Sequence, residues 1–250
     1  KSDAVLPFVE VQNLNITYKQ RGKKLEAAKN INFEILAGEF CVIIGPSGCG
    51  KSSLLYVLSG LLEPEQGEVL IEGLPLVSRR NDTSLILQEY GLLPWKTVEQ
   101  NVALGLLIRG DSRKKANEKA HLTLKNLGIL DLAKRFPAQL SGGQWQRVAI
   151  ARSLVLQPRL LLMDEPFSSL DALTREGSQN FLLNIWRGSP ISILLVTHSI
   201  EEAVYMGQRI FVMSPNPGTI THIVNNPLAA DDSYRGKNEF HSSCTKLREL

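Results

Sequence analysis

The stretch Gly45-Pro46-Ser47-Gly48-Cys49-Gly50-Lys51-Ser52 limits what this chain can fold into more than any other, because it fixes three elements in a row. The apolar run Cys41, Val42, Ile43, Ile44 before it predicts a buried strand, and Ser53, Leu54, Leu55, Tyr56, Val57, Leu58 after it predicts a helix. Between them the spacing G-x-x-x-x-G-K-S describes a phosphate-binding loop, in which glycines let backbone N–H groups curl around the phosphates of a nucleotide. Lys51 would reach the β and γ phosphates, the Ser52 hydroxyl would ligate Mg²⁺, and Ser53 continues the loop into the helix. The positive end of that helix adds to the attraction for a polyanion.

The segments around the loop predict an α/β fold. Val9 and Val11 alternate with Glu10 and Gln12 in a first strand, residues 8–18, and a polar loop follows from Lys19 to Leu25. Ile31, Phe33 and Ile35 alternate with Asn32 and Glu34, which predicts antiparallel sheet leading into the buried loop strand. A short strand is expected over Glu68 to Glu72, and an apolar one over Leu85, Ile86, Leu87 that ends at Gln88. Leu160 to Met163, Ile191 to Val196 and Arg209 to Met213 read as further buried strands, and Thr219 to Val224 as a hairpin strand. From Thr97 the sequence becomes helical in character, and residues 97–158 are the expected helical sub-domain. A single domain over 8–224 is expected, followed by a polar tail, 225–250, in which Arg235, Phe240, Leu247 and Leu250 suggest a short helix packed on the sheet.

Composition excludes several function classes. With 28 basic and 25 acidic residues the net charge is +3, too even for a nucleic-acid binder, and the cluster Arg113, Lys114, Lys115 reads as a solvated helix face. Cys41, Cys49 and Cys244 form no metal-type spacing, and Cys49 sits inside the phosphate loop, so a reducing compartment is expected. No apolar run approaches the 18 residues of a membrane span, and Lys1-Ser2-Asp3-Ala4 carries no signal-peptide core. Any membrane role is therefore expected to be peripheral.

Asp164 and Glu165 follow the Leu160 to Met163 strand, where a phosphate-loop ATPase needs two carboxylates of different duty. One must hold Mg²⁺ and the other must polarise the attacking water. On that division Asp164 is the metal ligand and Glu165 the general base.

Leu140-Ser141-Gly142-Gly143-Gln144, ahead of the acidic strand, resembles the signature motif of the ATP-binding cassette (ABC) ATPases. The order Tyr18, residues 45–52, Gln88, residues 140–144, Asp164-Glu165, Ser169-Leu170-Asp171, His198 fits the same family over about 210 residues. The resemblance implies a phosphate-loop ABC ATPase fold with a mixed core sheet, an N-terminal antiparallel sub-domain and an inserted helical sub-domain. It implies that Tyr18 stacks on adenine, that Gln88 meets Mg²⁺ and water, and that His198 touches the γ phosphate and holds the water with Glu165. Ser141, Gly142, Gly143 and Gln144 would contact ATP held by a second ABC ATPase subunit, with Asp171 at the dimer seam. The implied state is a head-to-tail dimer, homo- or heteromeric, around two ATP-Mg²⁺. Trp145 departs from the polar residue usual at its place.

The stretch Glu89-Tyr90-Gly91-Leu92-Leu93-Pro94-Trp95 resembles the nitrate, sulfonate, taurine and bicarbonate importer branch, as do Asp164 to Phe167, Leu170 to Arg175 and Ser214 to Gly218. In that family the region from Gln88 to Trp95 receives a helix of a transmembrane permease subunit, and an extracytoplasmic solute-binding protein completes the complex. Leu92, Leu93 and Trp95 would supply the apolar anchor, although the same residues could be core. The implied place of work is the cytoplasmic face of the inner membrane. A lipoprotein-releasing or export ATPase is the alternative.

Overall fold

The computed structural model describes residues 6–20 and 23–250. Strands β1 (Val9–Gln20) and β2 (Lys23–Ile35) pair antiparallel, with Val9 opposite Ile35 and Gln20 opposite Lys23. β3 (Phe40–Ile44) then leads into α1 (Lys51–Leu58). β4 (Gln66–Ile71) adds to the other edge of β1, and β5 (Leu74–Pro75) closes a four-stranded sheet of order β2-β1-β4-β5. Next come β6 (Thr83–Ile86), α2 (Val98–Ile108), α3 (Arg113–Asn126), α4 (Gly142–Leu154) and β7 (Leu160–Asp164). The chain finishes with α5 (Ala172–Arg187), β8 (Ser192–Thr197), α6 (Ile200–Met206), β9 (Arg209–Met213), β10 (Ile220–Asn225) and α7 (Asn238–Arg248). The second sheet has the order β10-β9-β3-β8-β7-β6; its strands run parallel except β10, which lies antiparallel to β9.

The central strands of the second sheet, β3, β7 and β8, are buried along their whole length because both faces are covered there, as parallel sheets require. Cys41 and Ile43 share one core with Leu54, Leu55 and Leu58 of α1 and with Val9, Val11 and Ile35 of the antiparallel sheet. Phe40, Val42 and Ile44 project the other way, into a core with Leu182, Leu183, Ala203 and Val204 of α5 and α6. α1 is thus packed between two sheets, with each fully buried Leu or Ile contributing about 1.5–3 kcal/mol of burial free energy.

Several expectations shift. The polar loop over Lys19 to Leu25 is mostly strand: β1 and β2 run on toward a hairpin tip, and their polarity there reflects exposure, as at Lys24, Leu25 and Glu26. Residues 21–22 and the Lys1 to Ala4 start lie outside the described residues. β6 stops at Ile86, so Gln88 stands in a turn beyond the strand rather than at its end, and the Tyr90 N–H donates to the Leu87 carbonyl at 2.9 Å to close that turn.

Over 97–158, α2 and α4 begin with capping boxes, Thr97 with Gln100 and Ser141 with Gln144, which satisfy N–H groups the helices leave open. Trp145 finds a polar partner locally, its indole N–H donating to the Pro137 carbonyl at 2.8 Å. Arg113, Lys114 and Lys115 are exposed. In the tail, α7 rests chiefly on α6 rather than flat on the sheet: Phe240 and Leu247 are buried, Leu250 is half exposed, and Arg235 lies 3.7 Å from the Tyr205 ring centroid. Among the described residues no helix is long and apolar enough to cross a membrane.

Candidate functional site

The register of the parallel strands gathers the motif residues. Ile44 pairs with Thr197, Asp164 with Val196 and Ile86 with Met163, so the carboxyl ends of β3, β8, β7 and β6 are nearly level. Gly45, His198 and Glu165 follow directly and Gln88 one residue further on, at the sheet edge where an open α/β fold receives its ligand.

Gly50 caps α1 with φ +95°, and a Cβ there would stand 2.6 Å from the Ala27 carbonyl oxygen, so glycine is required on both counts. Lys51 is buried, and its ammonium donates to the carbonyls of Gly45 at 2.8 Å and Pro46 at 2.9 Å, inside the arc of the loop. Asp164 is 7% exposed. Burial pushes its carboxyl above the usual range, the Ser52 hydroxyl's hydrogen bond and the Lys51 charge pull it back, and the neighbouring Glu165 adds to the rise.

Glu165 has φ +45°, a left-handed conformation that costs a non-glycine residue about 1–2 kcal/mol. The turn is held from both sides: its N–H donates to the Val196 carbonyl at 3.0 Å, and its carbonyl accepts from the Ser168 N–H at 3.2 Å and hydroxyl at 3.0 Å. The result aims the carboxylate at His198, with Nδ1 and Oε2 3.0 Å apart.

A cavity of about 450 Å³ opens over the loop and Glu165; His198 and Asp164 stand behind its lining. Tyr18, Ser47, Gly48, Gly50, Lys51, Ser52, Ser53, Gln88 and Glu165 line it, together with Leu25, Glu26, Ala27 and Asn216. Tyr18 stands at the rim, its hydroxyl donating to Ser53 Oγ at 2.9 Å, and the Gln88 amide donates to Ser168 Oγ at 3.4 Å. The residues present fit a nucleotide with Mg²⁺: a glycine cradle and a lysine for phosphate, and oxygen donors on Ser52, Gln88 and Asp164 for a hard cation. Among the described residues no cluster of three His, Cys, Asp or Glu side chains could cage a metal alone.

Ser141, Gly142, Gly143 and Gln144 do not line this cavity. Gln144 Oε1 accepts from the Ser141 N–H at 3.0 Å, and a Cβ on Gly142 would lie 3.0 Å from the Leu170 side chain. Asp171, next in sequence, caps α5 by accepting from the Thr174 N–H at 3.1 Å, and hydrogen bonding from the Thr174 side chain, with that N–H second, lowers its carboxyl pKa. The signature and Asp171 therefore share a neighbourhood of their own. Leu92 is a core residue, Leu93 is half-buried, and Trp95 is 70% exposed, which leaves Trp95 as the main apolar group on that surface. A larger cleft of about 830 Å³, lined by Leu106, Leu127, Leu154 and Ile191, holds none of the motif residues.

Sequence reasoning missed Glu26, Ala27 and Asn216. The first two fall in the gap, left without a reading, between the loop expected over Lys19 to Leu25 and the strand expected around Ile31 to Ile35, and Asn216 lies in Ser214 to Gly218, which carried a resemblance but no site role. It also missed Arg152 of α4, whose guanidinium donates to the carbonyls of Gly91, at 2.5 Å, and Tyr90, tying the signature helix to the turn after Gln88.

A glycine cradle at the edge of a mixed sheet, faced by a paired glutamate and histidine, defines a phosphate-loop ATPase. The particular kind follows from comparison: the model of the ABC transporter family matches residues 28–168, more than half of the chain, and the chain belongs to that family. It is 41% identical over 224 residues to the nitrate import ATP-binding protein NrtD of Synechocystis, covering 90% of this chain and 84% of that one. It is 40% identical over 220 residues to the taurine import ATP-binding protein TauB of Pelagibacter ubique, covering 88% and 83%. A solved dimeric ATP-binding cassette in a post-hydrolysis state, bound to ADP and Pi, superposes with a TM-score of 0.76 at 33% identity, covering 87% of this chain and 98% of that one.

Proposed function

We propose that the chain is the ATP-hydrolysing subunit of an importer for a small anionic nutrient, in which two copies, or this chain and a similar one, close around two ATP-Mg²⁺. The observation that carries the reading is the division of the motifs: the phosphate loop, Gln88 and Glu165 line one cavity, with His198 bonded to Glu165 beside it, while Ser141 to Gln144 neither line it nor bond to a residue of that pair. One chain thus holds a nucleotide from one side only. A dimeric cassette among the similar structures and two importers among the relatives support the same reading, and give less weight to an exporter.

Lys51 and the loop amides neutralise phosphate charge, Ser52, Gln88 and Asp164 hold Mg²⁺, and Tyr18 lies against the base. The metal supplies charge neutralisation on the phosphates when bound. Glu165 accepts a proton from the attacking water, and His198 fixes that carboxylate and meets the γ phosphate. Trp95 and the turn after Gln88 dock a transmembrane permease at the cytoplasmic face, so closure of the ATPase pair moves the permease. The test is Glu165→Gln: ATP binding persists and phosphate release is abolished, whereas wild-type turnover would remove Glu165 from the role of base. Co-purification with the permease, followed by a screen for solutes that stimulate hydrolysis, tests the importer assignment.

A further inference from the structure

Behind His198 lies an ion pair, between a buried Glu202 and an Arg175 whose side chain is 37% exposed, that the chemistry above does not use. Glu202, on α6, is 5% exposed, and its Oε2 accepts from the Thr197 hydroxyl at 2.6 Å. Thr197 Oγ1 in turn accepts from the Ser199 N–H at 3.0 Å, so one carboxylate ties together the two residues that flank His198. Facing its other oxygen, Arg175 Nε stands 3.8 Å away. Arg175 belongs to α5, and its Nη2 donates to the carbonyl of Leu170, the residue before Asp171, at 2.9 Å.

The contact is unfinished. At 3.8 Å the pair is an ion pair without a hydrogen bond, and Arg175 Nε is buried with no hydrogen-bond partner. A buried donor left open is costly, and an approach of about 1 Å would close the bond. A second open group flanks the same part of α5. Gln146, fully buried on α4, has both amide atoms unpartnered and by helical spacing shares the face of Gly142 and Gly143. Those glycines abut Leu170 and Thr174. The start of α5 therefore sits between the signature helix and the histidine segment, with unsatisfied polar groups on both sides.

We propose that Arg175 and Glu202 are positioning residues that carry the position of Asp171 to the His198 ring, their hydrogen bond closing when a second subunit and nucleotide engage the seam. The link rests on the reading of Asp171 as a seam residue and His198 as the γ-phosphate contact. Neither Arg175 nor Glu202 touches nucleotide. Each acts through a neighbour: Arg175 through the Leu170 carbonyl, Glu202 through Thr197 and Ser199.

The experiment compares Glu202→Gln, Arg175→Lys and the double variant by ATPase kinetics, ATP-Mg²⁺ serving as substrate, with melting temperature as the folding control. Glu202→Gln keeps an acceptor for Thr197 and loses the charge; Arg175→Lys keeps the charge and loses the two-pronged reach. The expected result is KM within about twofold of wild type, kcat lower by about tenfold, a Hill coefficient near one, and a double variant no worse than the poorer single. Wild-type kcat and cooperativity in a folded variant would overturn the link, as would additive losses in the double variant or failure of both singles to fold. His198→Ala is measured alongside. If it turns over normally, the reading of His198 fails; if it is inactive while the Arg175 and Glu202 variants are normal, only the link fails.

Discussion

Glu165 Oε2 and His198 Nδ1 meet at 3.0 Å although they stand 33 positions apart in the chain. The meeting follows from sheet register: Asp164 pairs with Val196, so the residues just past the two strand ends are neighbours, and the left-handed turn at Glu165 brings its carboxylate across. His198 is the more exposed partner, with its side chain 55% exposed against 17% for Glu165. The ring thus faces solvent while it holds a sheltered carboxylate that lines the cavity.

His198→Ala should lower kcat by about 10²-fold, the low end of what a positioned acid–base group contributes, with KM nearly unchanged. Steady-state ATPase assays check this. A rise in KM at constant kcat would mean that His198 only binds.

Gly50→Ala should damage the phosphate loop and the fold together. The substitution forces a side chain into a left-handed conformation and drives a Cβ to 2.6 Å from the Ala27 carbonyl oxygen, in the hairpin that lines the cavity. The conformational term alone is about 1–2 kcal/mol, and the backbone clash adds to it. Thermal melting and nucleotide titration should show a lower Tm and weakened ATP binding. Gly48, where a Cβ meets open space, carries the conformational term without the clash, so Gly48→Ala should destabilise less.

The tail carries a pH-dependent tie. Lys237 donates to Asp231 at 2.6 Å, and that hydrogen bond, helped by the Ser233 N–H and hydroxyl, holds the Asp231 carboxyl down to about 2. A carboxyl depressed in the fold stabilises it above its unfolded pKa and loses that contribution as pH falls through the folded value. Asp231→Asn should therefore lower Tm at neutral pH. The gap from wild type should shrink as pH drops from about 4 toward about 2. A gap independent of pH would show that the effect is packing.

Much of this site was legible because its motifs are local. The phosphate loop declares itself through glycine spacing between an apolar run and a helix, and the Asp164-Glu165 pair through its place at the end of Leu160 to Met163. The contacts that span elements were not legible. Nothing near Glu202 or Arg175 in sequence shows that α5 and α6 bring them together, and Arg152 reaches the Tyr90 and Gly91 carbonyls across 61 positions or more. Leu92 and Trp95 look alike as apolar neighbours of Pro94, and only packing separates a core leucine from an exposed tryptophan. The strand through Lys23 to Ala27 was hidden because a hairpin projecting toward solvent needs no apolar face.

On the proposed function, one chain supplies only half of an active site. Sedimentation of the Glu165→Gln chain with ATP and Mg²⁺ tests it most directly, since nucleotide bound but not hydrolysed should trap the closed pair. The expected species is a dimer carrying two ATP, reverting to monomer when Ser141→Arg blocks the signature. A monomer that binds ATP with full affinity, and no dimer at saturating nucleotide, would contradict it.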